Sequence, residues 1–191
     1  MPRLIRLVWL VTPIIGVIGF WSSAASGIEI APYRYAVGEK APDATVSYAA
    51  SHSLSEPNPQ ITRLFFSIHS SGFDALQYYE NARIAASQVR GALSETLIIA
   101  PQFFEEKAIP GAVPDEMLFW RVSPFRGSSR GAIGPSREAV SISAFDVMDD
   151  WLASLTKGDL FPQIKNIVLV GHSAGGQFVQ RYAMVGKFEP P

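Results

Sequence analysis

The sequence contains no cysteine. That excludes disulfides, thiolate metal sites and a cysteine nucleophile. Charge is also scarce: charged residues make up 17% of the chain, and the formal net charge is −1. Without a basic excess there is no electrostatic footprint for DNA or RNA, so no nucleic-acid partner is expected. The histidines are His52, His69 and His172. None falls in a histidine–carboxylate cluster with metal-ligand spacing, so neither a metal nor a cofactor is expected. Internal repeats and low-complexity tracts are missing too. What remains is apolar: 48% of the 191 residues are hydrophobic. Such a chain is long and greasy enough to bury one core, and too apolar to be disordered.

The N-terminus has a three-part layout. Arg3 and Arg6 precede an apolar run from Leu7 to Trp21, interrupted by Thr12, Pro13 and glycines. The small-residue stretch Ser22–Gly27 follows. This is the pattern of a secretory signal peptide, with cleavage suited to the position after Ala25. A spanning helix needs about 20 apolar residues. The run falls short of that, and Pro13 and Gly16 weaken it further. An uncleaved anchor is the rival reading. Residues 1–25 therefore read as a signal peptide or an N-terminal membrane anchor, with 7–21 as the membrane-associating segment in the second case. Residues 28–191 read as the globular domain. Both readings place that domain outside the cytosol, either exported to the periplasm or exterior, or anchored and facing outward.

Along residues 28–60, short β-like stretches alternate with turn signals. Ile28-Glu29-Ile30 with Tyr33 to Val37 is one candidate strand and Ala44 to Ala50 another, and Ser55–Pro59 is a loop because its two prolines remove backbone donors. From residue 63 the signal sharpens. The run Arg63–Ile68 reads as a strand buried on both faces. A helix is expected from Asp74 to Leu93, with Leu76, Tyr79, Ala82, Ala86 and Val89 as its apolar stripe. Thr96–Pro101 reads as a second buried strand. Residues 102–142 show little periodicity and carry many prolines, glycines, aromatics and arginines. Ser143–Asp146 reads as a capping box for a helix to Thr156. Asn166–Val170 is a third buried strand, and a last helix starts at Ala174. Strands alternating with helices imply βαβ units and a parallel sheet.

The third strand runs straight into Gly171-His172-Ser173-Ala174-Gly175-Gly176. Gly-x-Ser-x-Gly between a strand and a helix is the setting of a nucleophile elbow. So sharp a turn brings backbone atoms together, and Gly171 and Gly175 supply the room. The helix N-terminus adds positive potential where an oxyanion forms. The bland alternative is that Ser173 only caps the helix, but a cap needs neither flanking glycine nor an apolar strand before it. An oxyanion hole in this arrangement takes the N–H of the residue after the serine, Ala174, and one from a loop after an earlier strand. His69-Ser70-Ser71-Gly72 sits where that loop belongs. Ser71 is the favoured second donor and Ser70 the next, with His69 and Gly72 supporting the loop. An ordinary strand-to-helix turn is the alternative there.

These residues resemble the α/β-hydrolase superfamily. More narrowly, the chain is similar to a group of little-characterised exported hydrolases. The strand ending at His69, the Tyr78-Tyr79 helix, the Leu97–Pro101 strand, the Ser143–Leu155 helix and Gly171–Ala183 carry the resemblance, from about residue 60 onward. It implies an α/β fold: a mostly parallel sheet with helices on both faces. It implies a serine hydrolase that cleaves an ester or related small-molecule substrate through an acyl-Ser173 intermediate. Two departures stand out. Many members have His-Gly where this chain has His69-Ser70. The family's order of serine, acid and histidine also places the acid and base after Ser173, where the chain soon stops. On this resemblance the domain is expected to be truncated, lacking the family's C-terminal strands, and inactive or nearly so.

None of the three histidines reads as the general base. His172 adjoins the nucleophile in a tight turn, as elbow support. His69 orders the oxyanion loop, and His52 lies in a solvated loop. Asp149 and Asp150 are neighbours on a helix and point in different directions, so solvation is their expected role. Phe103, Phe104, Phe119, Trp120 and Phe125 either line an apolar pocket or pack their connection down. Arg121, Arg126 and Arg130 either bind an acidic group or are solvated. The non-enzymatic alternative is an exported binding module on part of a hydrolase fold.

Overall fold

The computed structural model describes residues 28–189. The signal-peptide or anchor segment, residues 1–25, lies outside the described residues.

Two antiparallel strands come first, β1 (Tyr33–Ala36) and β2 (Thr45–Ala50). The Val37 N–H closes their connection on the Ala44 carbonyl at 2.8 Å. Next come β3 (Arg63–Ile68), helix α1 (Ala75–Ser87), the short helix α2 (Ala92–Glu95) and β4 (Thr96–Gln102). The single helix expected over 74–93 is thus broken. Gly91 takes a left-handed φ of 78° between the two pieces, which glycine adopts without a steric cost. Only Ala75 of α1 is fully buried, and Val89 is exposed.

The expectation of a mostly parallel sheet is overturned. The main sheet has the order β1-β2-β4-β3-β8, where β8 is Asn166–Gly171. β3 is parallel to β4 and to β8, whereas β1/β2 and β2/β4 are antiparallel. The sheet is mixed. The physical reason lies in residues 28–60, which contain no crossover helix; a parallel neighbour needs a crossover of a dozen or more residues. The stretch 102–142 is not irregular either. It holds a second, antiparallel sheet of β5 (Leu118–Trp120), β6 (Arg130–Ile133) and β7 (Glu138–Ser141). The β6–β7 turn uses Gly134 at φ 61° and Arg137 at φ 54°.

Helix α3 (Ala144–Lys157) opens at Ser143 with a full capping box. Ser143 Oγ accepts the Asp146 N–H at 3.1 Å, and Asp146 Oδ2 accepts the Ser143 N–H at 2.9 Å. The periodic residues Phe145, Met148, Trp151, Leu152 and Leu155 are all buried. Trp151 stacks on Tyr35 at 4.1 Å and meets Phe66 of β3 edge-on at 5.7 Å. α3 therefore covers the sheet face bearing Leu64 and Phe66. Strand alternation puts Phe65 and Ser67 on the other face, where Ser67 Oγ donates to the Tyr78 carbonyl of α1. Helix α4 (Ala174–Val185) follows β8 and packs with α3, Phe178 lying 4.9 Å from Phe145.

Asp149 and Asp150 are not merely solvated. Asp149 Oδ1 accepts Tyr182 OH at 2.7 Å and the N–H groups of Lys187 and Phe188 at 2.9 Å each. Asp150 Oδ2 accepts Tyr35 OH at 2.6 Å and the Gly38 N–H at 3.2 Å. They do point apart, as neighbours on a helix must, but each ties down a different segment.

Candidate active site

Parallel pairing sets Ile68 of β3 opposite Gly171 of β8. The chain therefore leaves both strands at the same level, and His69-Ser70-Ser71 and His172-Ser173-Ala174 emerge side by side at one sheet edge. Ser173 is solvent-exposed there, with φ 54° and ψ −117°. A non-glycine residue in that region carries about 1–3 kcal/mol of strain and needs surroundings that impose it. The surroundings are glycine. A Cβ at Gly171 would collide with the Gly175 carbonyl and lie 2.8 Å from Gly176 N. A Cβ at Gly175 would strike the Ile68 carbonyl and lie 2.7 Å from the His69 carbonyl oxygen. Both positions require glycine because backbone passes through the space a side chain would fill.

Ser173 occupies the N-cap position of α4, but its side chain makes no cap hydrogen bond. The turn is closed by backbone instead: Gly175 N–H donates to the His172 carbonyl at 2.9 Å, and Gln177 N–H to the Ser173 carbonyl at 3.1 Å. The Ser173 hydroxyl is thus left for other work. Ala174 is the first residue of α4, so its N–H has no carbonyl one turn back.

His69 is fully buried. Its Nε2 accepts the Phe103 N–H at 2.9 Å, so the ring proton sits on Nδ1, which donates to the Ser70 carbonyl at 2.7 Å. Burial pushes its pKa down to about 4, against a smaller opposing effect from the Ser70 hydrogen bond. The ring is neutral with both nitrogens engaged, and so cannot take a proton from Ser173. What it does is orient a peptide. The Ser70 carbonyl also accepts the Phe73 N–H at 3.1 Å, so two donors hold it inward. Across a planar trans peptide the N–H of Ser71 points the opposite way. That N–H finds no acceptor among the described residues. Gly72 N–H instead reaches Ser70 Oγ at 3.4 Å.

The loop is clamped from further sides. Phe73 has a left-handed φ of 57° and is buried against Phe125 and Phe104. Phe125 also meets His69 edge-on at 5.3 Å, and its carbonyl is held by Arg181 of α4 at 3.0 Å. Buried Gln102 donates to the carbonyls of Phe73 and Glu29, both at 2.8 Å, and accepts the Ala31 N–H at 2.7 Å. Gln102, Phe103 N–H and Arg181 were not among the sequence candidates. Only the fold brings them to the loop, and nothing in their spacing marks them. The aromatics Phe103, Phe104, Phe119, Trp120 and Phe125 are all buried, so they pack the connection down.

His52 lies apart from Ser173. Ser51 Oγ, hydrogen-bonded to His52 Nδ1, also reaches the Thr96 carbonyl. That places His52 at the opposite sheet edge, a strand length of roughly 16 Å away. The remaining histidine, His172, is exposed and walls a groove beneath α1 with Ser67, Tyr78 and Val170, a cavity of about 310 Å³. No group of three or more His, Cys, Asp or Glu among the described residues could hold a metal ion. No family model, curated protein or solved structure matches this chain.

Proposed function

We propose that this protein carries the acylation half-site of a serine hydrolase, with Ser173 as nucleophile. The Ser173 Oγ attacks an ester carbonyl carbon, and the carbonyl oxygen takes the negative charge. Ala174 N–H and Ser71 N–H receive that oxyanion. Collapse breaks the bond to the alcohol, which leaves with the proton from Oγ, and water then hydrolyses acyl-Ser173. The observation that carries this reading is the strained backbone of Ser173, φ 54°, held between two glycines beside an unpaired Ser71 N–H. Strain at an exposed serine whose hydroxyl is kept out of a cap bond is expected at a reacting group. The likeness to α/β-hydrolases belongs to this proposal for the elbow and the loop after β3, not for the sheet.

One observation favours the rival reading of a non-catalytic binding module: buried His69 has both ring nitrogens engaged and His52 lies at the far end of β4, so neither serves as general base. Intact mass after incubation with a short-chain p-nitrophenyl ester separates the two. The hydrolase reading expects one acyl adduct, mapped to Ser173 and missing in Ser173→Ala. A binding module gains no adduct at Ser173.

A further inference from the structure

A cavity of about 610 Å³ opens beside β1, the strand at the outer edge of the main sheet, with β2, β4 and β3 between it and β8. Small-molecule sites measure roughly 300–1,000 Å³. Tyr33, Tyr48 and His52 line it together with Leu54, Leu155 and Leu160. Tyr33 and Tyr48 are register partners on β1 and β2. Packing alone leaves two features of this lining unexplained. Tyr33 is 51% exposed. It is the open end of a chain of aromatic contacts, from Tyr33 to Tyr48 at 5.4 Å, Tyr48 to Trp151 at 5.2 Å, and Trp151 to Tyr35 at 4.1 Å. A further ring set against Tyr33 extends that chain. Tyr48, by contrast, is only 7% exposed, yet its hydroxyl has no hydrogen-bond partner among the described residues. The unpaired side-chain atoms sealed in the core are Ser47 Oγ and Trp151 Nε1. The Tyr48 hydroxyl is not one of them, so it opens onto the cavity that Tyr48 lines. Burial and the neighbouring Tyr33 push its pKa up, so it stays a phenol and donates. A buried donor without a partner is destabilising, and an acceptor in the cavity removes that cost.

The lining selects a neutral ligand. Burial lowers the pKa of His52, so its ring is uncharged at pH 7. Its Nδ1 is held by Ser51 Oγ at 2.8 Å, which leaves Nε2 for a ligand. Arg34 borders the cavity too. Its Nη1 is committed to the Ala31 and Tyr33 carbonyls at 2.6 and 3.0 Å, and its Nε lies 3.9 Å from Glu116. The carboxylate of Asp150 is occupied by Tyr35 OH and the Gly38 N–H. Glu56, Lys157 and Asp159 are exposed close by in the sequence but are not part of the wall. No uncommitted charge is left to hold an ion. A sugar fits poorly as well. The hydroxyls of Ser53 and Ser55 bond each other at 3.0 Å, and Ser154 Oγ donates to the Trp151 carbonyl at 2.8 Å. Too few polar groups remain to pair with a ring of hydroxyls, and unpaired ones are costly against leucine.

We propose that this cavity binds a neutral aromatic molecule carrying a hydrogen-bond acceptor, with its ring against Tyr33 and its acceptor oxygen on the Tyr48 hydroxyl. The leucines take the apolar body of the ligand, as in most small-molecule sites. His52, at the sheet edge opposite Ser173, belongs to this site. The proposal does not rest on the hydrolase reading.

The full chain is titrated with acetophenone, and binding is read by saturation-transfer NMR. The expected result is saturable binding, weakened at least about fivefold both in Tyr33→Ala, which removes an exposed ring, and in Tyr48→Phe, which removes only the hydroxyl. Two analogues divide the ligand the same way. Cyclohexyl methyl ketone keeps the oxygen and lacks the aromatic face, and toluene keeps the ring and lacks the oxygen. Each should bind at least about fivefold more weakly than acetophenone. No saturable binding overturns the proposal. So does binding undiminished in either variant, or an analogue that binds as tightly as acetophenone. Urea unfolding of Tyr48→Phe supplies a second reading. An unpaired hydroxyl predicts a midpoint no lower than that of the wild type. A lower midpoint would mean that the hydroxyl has a protein partner, and the proposal would fall.

Discussion

His69 accepts the backbone N–H of Phe103 at its Nε2 across 2.9 Å, and the pair joins the loop after β3 to the residue that follows β4. The bond fixes the tautomer, the tautomer fixes the Ser70 carbonyl, and the carbonyl fixes where the Ser71 N–H points. A buried imidazole holds the candidate oxyanion loop in shape without taking part in proton transfer.

Stability should follow the charge state of His69. Its pKa is about 4 when folded, against an ordinary 6.5. Between those values the unfolded chain binds a proton that the folded chain does not. The stabilisation is therefore complete above about pH 6.5 and declines as pH falls toward 4, by something on the order of 3 kcal/mol in all. His52 is lowered by burial too and acts in the same sense. Urea unfolding between pH 7.5 and 4 should show this slope in His52→Asn and lose most of it in His69→Gln. Asp146 acts at lower pH. Burial raises its pKa, but hydrogen bonds from Lys40 and Ser143 outweigh that and bring it to about 2. Its contribution is whole above the ordinary 3.8 and is lost only as pH falls from there toward 2.

The elbow glycines should be intolerant of a methyl group. Gly175→Ala drives a Cβ into the Ile68 and His69 carbonyls, and backbone cannot move aside as a side-chain tip can. Overpacking of this kind costs about 1–3 kcal/mol. Denaturant midpoints should fall accordingly for Gly171→Ala and Gly175→Ala. Gly111 has open space around it, but its φ of 72° strains any side chain, so Gly111→Ala should cost only about 1 kcal/mol.

The latch formed by Asp149 can be tested by truncation. Asp149→Ala strands the N–H groups of Lys187 and Phe188 and the hydroxyl of Tyr182. These donors are only partly buried, so water recovers some of the loss, and a cost of about 1–2 kcal/mol is expected. Thermal unfolding of Asp149→Ala against Asp150→Ala separates the α4 latch from the bond to Tyr35.

Much of this was legible in the sequence, for identifiable reasons. The capping box at Ser143 and the inward face of α3 are local patterns, and both stand. The sharp strand-to-helix turn at Ser173 was readable because strand, glycine spacing and helix start coincide within a dozen residues. The direction of β1 and β2 was not, since pairing partners depend on connections that leave no periodic trace. β5–β7 were missed because strands of three or four residues are too short to show alternation, although Gly134-Pro135 was a turn signal. Asp149 read as solvated because its three donors come from residues far along the chain.

If Ser173 lacks an internal base, an external one should serve. Added imidazole is expected to speed acylation of the wild-type chain by at least about tenfold, well under the 10²–10⁴ of a positioned base, and to do nothing for Ser173→Ala. A stopped-time ester assay across imidazole concentrations reads this directly.

The most direct test of the central claim is the site of fluorophosphonate labelling, mapped by peptide mass spectrometry on the folded chain and again in urea. The account predicts one adduct, on Ser173, formed only when the elbow is folded. Adducts spread over other serines, or labelling of Ser173 that is no faster folded than unfolded, would contradict it.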